Sequence, residues 1–178
     1  ARRVARHEDS ATLEVSAADL LAATLHVDLA GVFDLDVDHK RAVLRAGAGW
    51  RPEQINVAVM HVMEGGLAAR ALETDAPVVV EQAAIESRFI IPPLLAAERV
   101  VSGVTVQIPG EPHAAGVLGV YMREERTFSE ADAAFVAAIA AQLGAVAARR
   151  RAAQAQRLAE LRTTLVLETM EDALLVAD

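Results

Sequence analysis

The chain predicts an α+β domain: a mainly antiparallel central sheet of about six strands with helices on its faces, extended by a long C-terminal helix. Three observations carry this. Stretches of period-two hydrophobicity recur in pairs joined by polar turns, which is the pattern of hairpins. Short helical patterns lie between them. From Ser129 a helical pattern then runs almost to Met170, with no proline and a single glycine, Gly144. Roughly 40 residues of helix extend about 60 Å, more than a domain of this size needs.

The elements follow in order. Residues 1–15 are polar and basic at their start and read as a linker or a helix end. Ser16, three residues before Asp19, has capping-box spacing and opens a helix with Leu20, Leu21 and Leu25 on its stripe. Val32, Phe33 and Leu35 mark a first strand and Ala42, Val43 and Leu44 a second, with the polar turn Asp36–Lys40 between them. A third strand is expected over Val57–Val62. Glu64-Gly65-Gly66 breaks it and a short helix follows over Leu67–Thr74. Val78-Val79-Val80 is a β-branched buried strand. Residues 81–93 are irregular, with a helical turn or two at Leu94–Arg99. Two more strands, Val100–Ile108 and Gly116–Met122, flank a loop rich in breakers, Pro109-Gly110-Glu111-Pro112-His113. Ser129 with Asp132 caps the long helix. The chain opens at Ala1 and closes on Leu174-Leu175-Val176-Ala177-Asp178, which reads as the start of a strand. It is expected to be a piece of a longer protein with its output beyond residue 178.

Composition narrows the function. Hydrophobic residues make up 53% of the chain but aromatics only 3%, so alanine and valine must supply much of the core. A net charge of -8 argues against a nucleic-acid surface, which needs a basic footprint. The one basic run, Arg149-Arg150-Arg151, lies within the long helix and reads as a solvated face. With no cysteine, disulfides, thiolate metal sites, cysteine nucleophiles and sulfur-tethered cofactors are excluded, and a cytoplasmic location fits. The most apolar window, Ala133–Ala148, is alanine-dominated and shorter than the roughly 20 strongly apolar residues of a transmembrane helix, so no membrane span is expected.

Several motifs occur together in order. Gly66-Leu67-Ala68-Ala69-Arg70-Ala71-Leu72-Glu73-Thr74, followed by Pro77-Val78-Val79-Val80, resembles the G-x-x-G-x-V-x-x-T-G-x-P-V-x-V region of GAF domains. Gly116-Val117-Leu118-Gly119-Val120-Tyr121 followed by Phe128–Asp132 is similar to the family's last strand and terminal helix start. Ala48-Gly49-Trp50 after the first hairpin is a third match. The resemblance covers residues 16–148. It implies a sensor domain, followed by a signalling helix or coiled coil over 149–170. Glu171–Asp178 resembles the opening of a PAS domain, placing the start of a truncated downstream domain at 171–178. The chain departs from the family at Ala69, Ala71 and Asp75, which replace a glycine, a valine and a glycine. The constellation of cyclic-nucleotide-binding members is not found, and bilin-binding members usually need a cysteine. The resemblance therefore supplies a fold and a regulatory role and leaves the cofactor unknown.

No catalytic constellation is visible, so the fragment is not expected to be an enzyme. Glu64, Glu73, Asp75, Glu81 and Glu86 read as solvated carboxylates. Gly65-Gly66 before a helix offers free amides to an anion but lacks the lysine and spacing of a phosphate loop, so a turn role is favoured. His7, His39 and His113 lie in polar or loop surroundings. His61 lies in an apolar strand on the same side as Val57, Val59 and Met63, with Met60 opposite. It is the candidate ligand for a non-covalent haem, the alternative function being a haem redox or gas sensor or a small-molecule-converting enzyme on the same fold. In GAF domains the ligand lies between the sheet and the segment corresponding to Glu81–Arg99. The pocket candidates are therefore Phe89, Ile90, Ile91, Leu94 and Tyr121, with Met60 or His61 according to the strand face that turns inward. The other reading packs these residues on one another without a cavity.

Partners follow from the long helix. Gln154, Leu158, Leu161, Leu165 and Glu168 repeat at three-four spacing, and Leu158, Leu161 and Leu165 form an apolar seam suited to a homodimer. Ala140, Gly144, Ala147 and Arg151 continue the register with small residues. Phe135, Ile139 and Leu143 form a separate stripe that faces either a partner or the chain's own sheet.

Overall fold

The computed structural model describes the backbone of residues 2–176 and the side chains of residues 11–163. The chain divides into two units, Ala1–Gly144 and Ala145–Asp178. The first holds six strands: β1 (Leu29–Leu35), β2 (Arg41–Ala48), β3 (Val59–His61), β4 (Val78–Val80), β5 (Ser102–Ile108) and β6 (Gly116–Met122). They form one antiparallel sheet in the order β3-β2-β1-β6-β5-β4. Three helices, α1 (Arg2–Leu25), α2 (Leu67–Glu73) and α3 (Pro93–Ala97), belong wholly to this unit. The fourth, α4 (Glu130–Val176), contributes its first turns to the first unit and supplies the second.

Both faces of the sheet are buried, which explains why β6 is apolar at nearly every position and lacks a polar-out alternation. On one face, Leu21 and Leu25 of α1 and Val136, Ala140 and Leu143 of α4 pack against Val32, Val104, Val106, Leu118 and Val120. On the other, α2, α3 and the intervening loops cover Phe33, Leu44, Met60, Val117 and Tyr121. Small residues make these approaches possible. A Cβ on Gly119 would stand 2.0 Å from the Tyr121 hydroxyl, and one on Gly144 would stand 2.6 Å from the Pro109 carbonyl oxygen.

The Ala48-Gly49-Trp50 motif has a clear structural use. Gly49 takes a positive φ of 80° against the Asp28 carbonyl. That turn swings Trp50 over the sheet, where its indole N–H donates to Ala30 O at 3.0 Å and its ring meets Phe33 edge-on at 5.8 Å. A bulge places Arg45 as an extra residue opposite Val32 and Phe33. It flips the face of β2, so Ala42 and Leu44 join one core and Ala46 the other.

Four expectations are corrected. Ser16 does not begin a helix: α1 is already helical from Arg2, and the Ser16 hydroxyl donates to Thr12 O at 2.7 Å, the bond of a serine within a helix. The strand expected over Val57–Val62 is reduced to Val59–His61, because Asn56 takes a positive φ of 65° and Ala58 is drawn to Gln54 O. Leu174–Val176 continue α4 and do not open a strand; a strand needs a neighbour to pair with, whereas a helix closes its own hydrogen bonds. Ala177 and Asp178 lie outside the described residues. Finally, α4 over Glu130–Thr163 is long and apolar enough to cross a membrane by length and composition, because its alanines extend the apolar window. Its Ala133, Val136, Ala140 and Leu143 nevertheless pack in the domain's own core. The Ser129–Asp132 cap forms as a reciprocal pair, with Asp132 N donating to Ser129 Oγ at 3.1 Å and Ser129 N to Asp132 Oδ2 at 3.0 Å.

Candidate functional site

Edge strand β4 and the irregular segment after it frame the site. The segment is tied at several points. Ala83 N donates to Val101 O at 2.7 Å. Ile90 bridges to Gly66, with Ile90 N donating to Gly65 O at 2.7 Å and Leu67 N to Ile90 O at 3.0 Å. Gly66 N donates to Met63 O at 2.9 Å. The Gly66 and Leu67 amides are therefore engaged in this turn, which favours a packing role for Gly65-Gly66 over an anion cradle. At the far end Glu98 accepts from Gln54 Nε2 at 2.6 Å, Arg51 Nη2 at 3.4 Å and Arg123 Nη2 at 3.3 Å, pinning α3 to the turn after β2 and to the end of β6.

Arg88 closes the segment onto the sheet. Its guanidinium donates from Nε to Glu86 Oε1 at 2.9 Å and from Nη2 to Glu86 Oε2 at 2.6 Å. Nη2 also reaches the β4 carbonyl of Val79 at 2.8 Å, and the cation lies over the Phe89 ring at 5.1 Å. The fork geometry suits a bidentate carboxylate. Glu86 is 7% exposed at its side chain, so it is not the solvated carboxylate expected from sequence. The Arg88 hydrogen bonds hold its carboxyl down to about 2.

Two clefts meet at this latch. One of about 560 Å³ is lined by Val79, Glu81, Gln82, Ile85, Glu86 and Arg88. The other, of about 430 Å³, lies between α2 and β4 and has Arg70, Glu73, Thr74, Val79, Arg88 and Phe89 on its walls. Both are within the range of small-molecule sites.

The pocket residues expected from sequence separate. Phe89 is buried and lines the second cleft. Met60 and Tyr121 are fully packed in the core beneath α2 and α3, with Ile91 and Leu94 half-buried against it. Ile90 is exposed. The Tyr121 hydroxyl meets Thr105 Oγ1 at 3.2 Å, and burial pushes it up to about 12. Met60 and Tyr121 are thus packed on their neighbours, whereas Phe89 faces a cleft and Ile90 faces solvent. His61 is corrected: β3 turns Met60 inward opposite Ala42, so His61 lies exposed on the other side of the strand. Among the described residues no group of three His, Cys, Asp or Glu stands close enough to hold a metal ion. Sequence reasoning missed the Glu86–Arg88 latch, reading Glu86 as a solvated carboxylate. The acid–base pair two positions apart was its available signal.

On α4, Leu143 and Ala140 are buried in the core with the sheet, Phe135 and Ile139 are half-buried against it, and Gly144 is buried beside Pro109. Of the two faces left open for this stripe, its packing is onto the domain's own sheet. Leu158 and Leu161 are 50% and 61% exposed. Leu165, Glu168 and His7 lie outside the described side chains.

A curled antiparallel sheet, closed on one face by long helices and on the other by short elements around ligand-sized clefts, defines an α+β domain. The GAF-domain family profile matches residues 10–147, and the chain belongs to that family. Among solved structures it is similar to the GAF domain of an Acinetobacter phosphoenolpyruvate-protein phosphotransferase, at 27% identity and a TM-score of 0.65, covering 76% of this chain and 80% of that one. It also resembles the blue-light absorbing form of the PixJ GAF domain of Thermosynechococcus elongatus, at 14% identity and a TM-score of 0.71, covering 88% and 94%. A domain of a putative two-component sensor histidine kinase from Sinorhizobium meliloti matches at 17% identity and a TM-score of 0.62, covering 80% and 93%. The last two likenesses are of fold alone. No curated protein matches the chain.

Proposed function

We propose that this chain is the regulatory sensor domain of a bacterial signalling protein. A small ligand at the β4 clefts biases the domain, and α4 relays the bias within a cytoplasmic homodimer to an output domain such as a histidine kinase or a cyclic-dinucleotide enzyme. The observation that carries the reading is the exposed leucine pair on α4. Leu158 and Leu161 stand half or more in water on the helix that leaves the sensor domain. With Leu165 they follow the three-four spacing of a helix–helix seam. A ligand shifts such an equilibrium only by its differential affinity for the two arrangements, so the relay must have two helix packings.

Register is the test. The seam repeats about every 3.5 residues, so deleting seven residues restores it and deleting five turns it about 150° away. In the full-length protein, removing Arg150–Gln156 is expected to keep regulated output. Removing Arg150–Gln154 is expected to lock output high or low with the sensor domain still folded. Equal output from the two deletions would make α4 a passive tether and remove the mechanism.

A further inference from the structure

A second site lies at the opposite end of the sheet from the Glu98 network, and neither the sensory reading nor the family match assigns it. We propose that His39 and His113 form a binding site for a divalent transition-metal ion of borderline softness, such as Cu2+, Ni2+ or Zn2+.

The two histidines are far apart in sequence and meet through the topology. β1 and β6 are neighbours, with Asp34 opposite Gly116 and Leu35 N donating to Ala115 O at 3.0 Å. That pairing brings the β1–β2 turn against the β5–β6 loop. The turn is fixed locally. Asp36 Oδ1 accepts from Lys40 N at 2.9 Å and Arg41 N at 3.2 Å, and Oδ2 accepts from Arg41 Nε at 2.8 Å. His39 N donates to Asp36 O at 3.0 Å, and His39 itself takes a positive φ of 54°. A non-glycine residue held in that conformation marks a position defined by its surroundings.

The rings are close and crossed. Their centroids are 5.0 Å apart and their planes lie at 73°. Two imidazole nitrogens on one metal at 2.0–2.1 Å are separated by roughly 3 Å, so ring centres around 5 Å fit a shared ion with little movement. The rings also look onto a cleft of about 570 Å³ with an apolar floor of Leu35, Val62, Ala69 and Leu72 and a carboxylate, Glu73, on its wall. Imidazole is the ligand type that suits Zn, Cu and Ni. The protein supplies two ligands and water fills the other positions, which makes an exchangeable site in place of a closed structural one.

The test is a titration of residues 1–178 with Cu2+ and with Zn2+ alone, read by calorimetry and, for Cu2+, by electron paramagnetic resonance. One equivalent is expected to bind, with Cu2+ tighter than Zn2+ and with nitrogen hyperfine structure from two imidazoles. His39→Asn, chosen because asparagine tolerates a positive φ, and His113→Gln should each weaken binding at least tenfold. His61→Gln should leave it unchanged. Unchanged far-UV circular dichroism verifies that the variants are folded. No binding at millimolar metal, wild-type affinity in either His39→Asn or His113→Gln, or equal loss in His61→Gln would overturn the site.

Discussion

Residues 130–143 and 151–163 belong to one helix and share its alanine-rich composition, yet their surroundings differ completely. The first stretch buries Ala133, Val136, Ala140 and Leu143 against the sheet, whereas every residue of the second is exposed. Helix formation is therefore a local matter of propensity, which both stretches satisfy. What each stretch does depends on what covers it. The first is part of a hydrophobic core. The second carries leucines without a cover among the described residues, as the proposed seam requires.

The largest effect that would sharpen this contrast comes from placing one charge in each stretch. Val136 is fully buried. Val136→Asp strands a carboxylate without a partner and is expected to cost more than about 4 kcal/mol, enough to unfold the first unit. Leu158→Asp is expected to leave the thermal unfolding of that unit within about 0.5 kcal/mol at concentrations too low for association. Circular dichroism melts of the two variants check this, and similar losses would break the comparison.

A smaller effect separates the two faces of the sheet. The helical face has an apolar core, while the cleft face is held partly by the Glu86–Arg88 pair. The Glu86 carboxyl is held at about 2, below its ordinary value. A lowered folded-state pKa contributes stability that is fully present above the unfolded value near 4.3 and is lost as pH falls toward about 2. Urea midpoints across that interval should therefore fall more steeply for the wild type than for Glu86→Gln. Parallel curves would show that the latch does not contribute. The smallest effect is expected from exchanging Arg149, Arg150 and Arg151 together for glutamine. These side chains are exposed or half-exposed, and such charges contribute little, so regulated output should persist.

The contrast also explains what could be read from the chain alone. Features set within a few residues were legible: the Ser129–Asp132 cap, α2 after Gly66, the β1–β2 hairpin and the bounds of β6. Ser16 shows the limit of a local rule, since a serine three before an acid caps a helix only where no helix already precedes it. The bulge at Arg45 was invisible to a period-two pattern because it is defined by the partner strand. Met60 and His61 could not be assigned to faces, because an alternating strand carries no mark of which side is inside. Arg88, Glu98 and the His39–His113 pair draw on partners or neighbours placed by topology, and in the latter two these are distant in sequence. The segment after β4 was thus legible as irregular, while its charged latch was not.

The association of the second stretch of α4 bears most directly on the relay. Multi-angle light scattering of residues 1–178 at high micromolar concentration is expected to give a dimer, and Leu158→Ser with Leu161→Ser is expected to give a folded monomer. A monomeric wild-type chain, or a dimer that survives the double substitution, would contradict a seam built on those leucines.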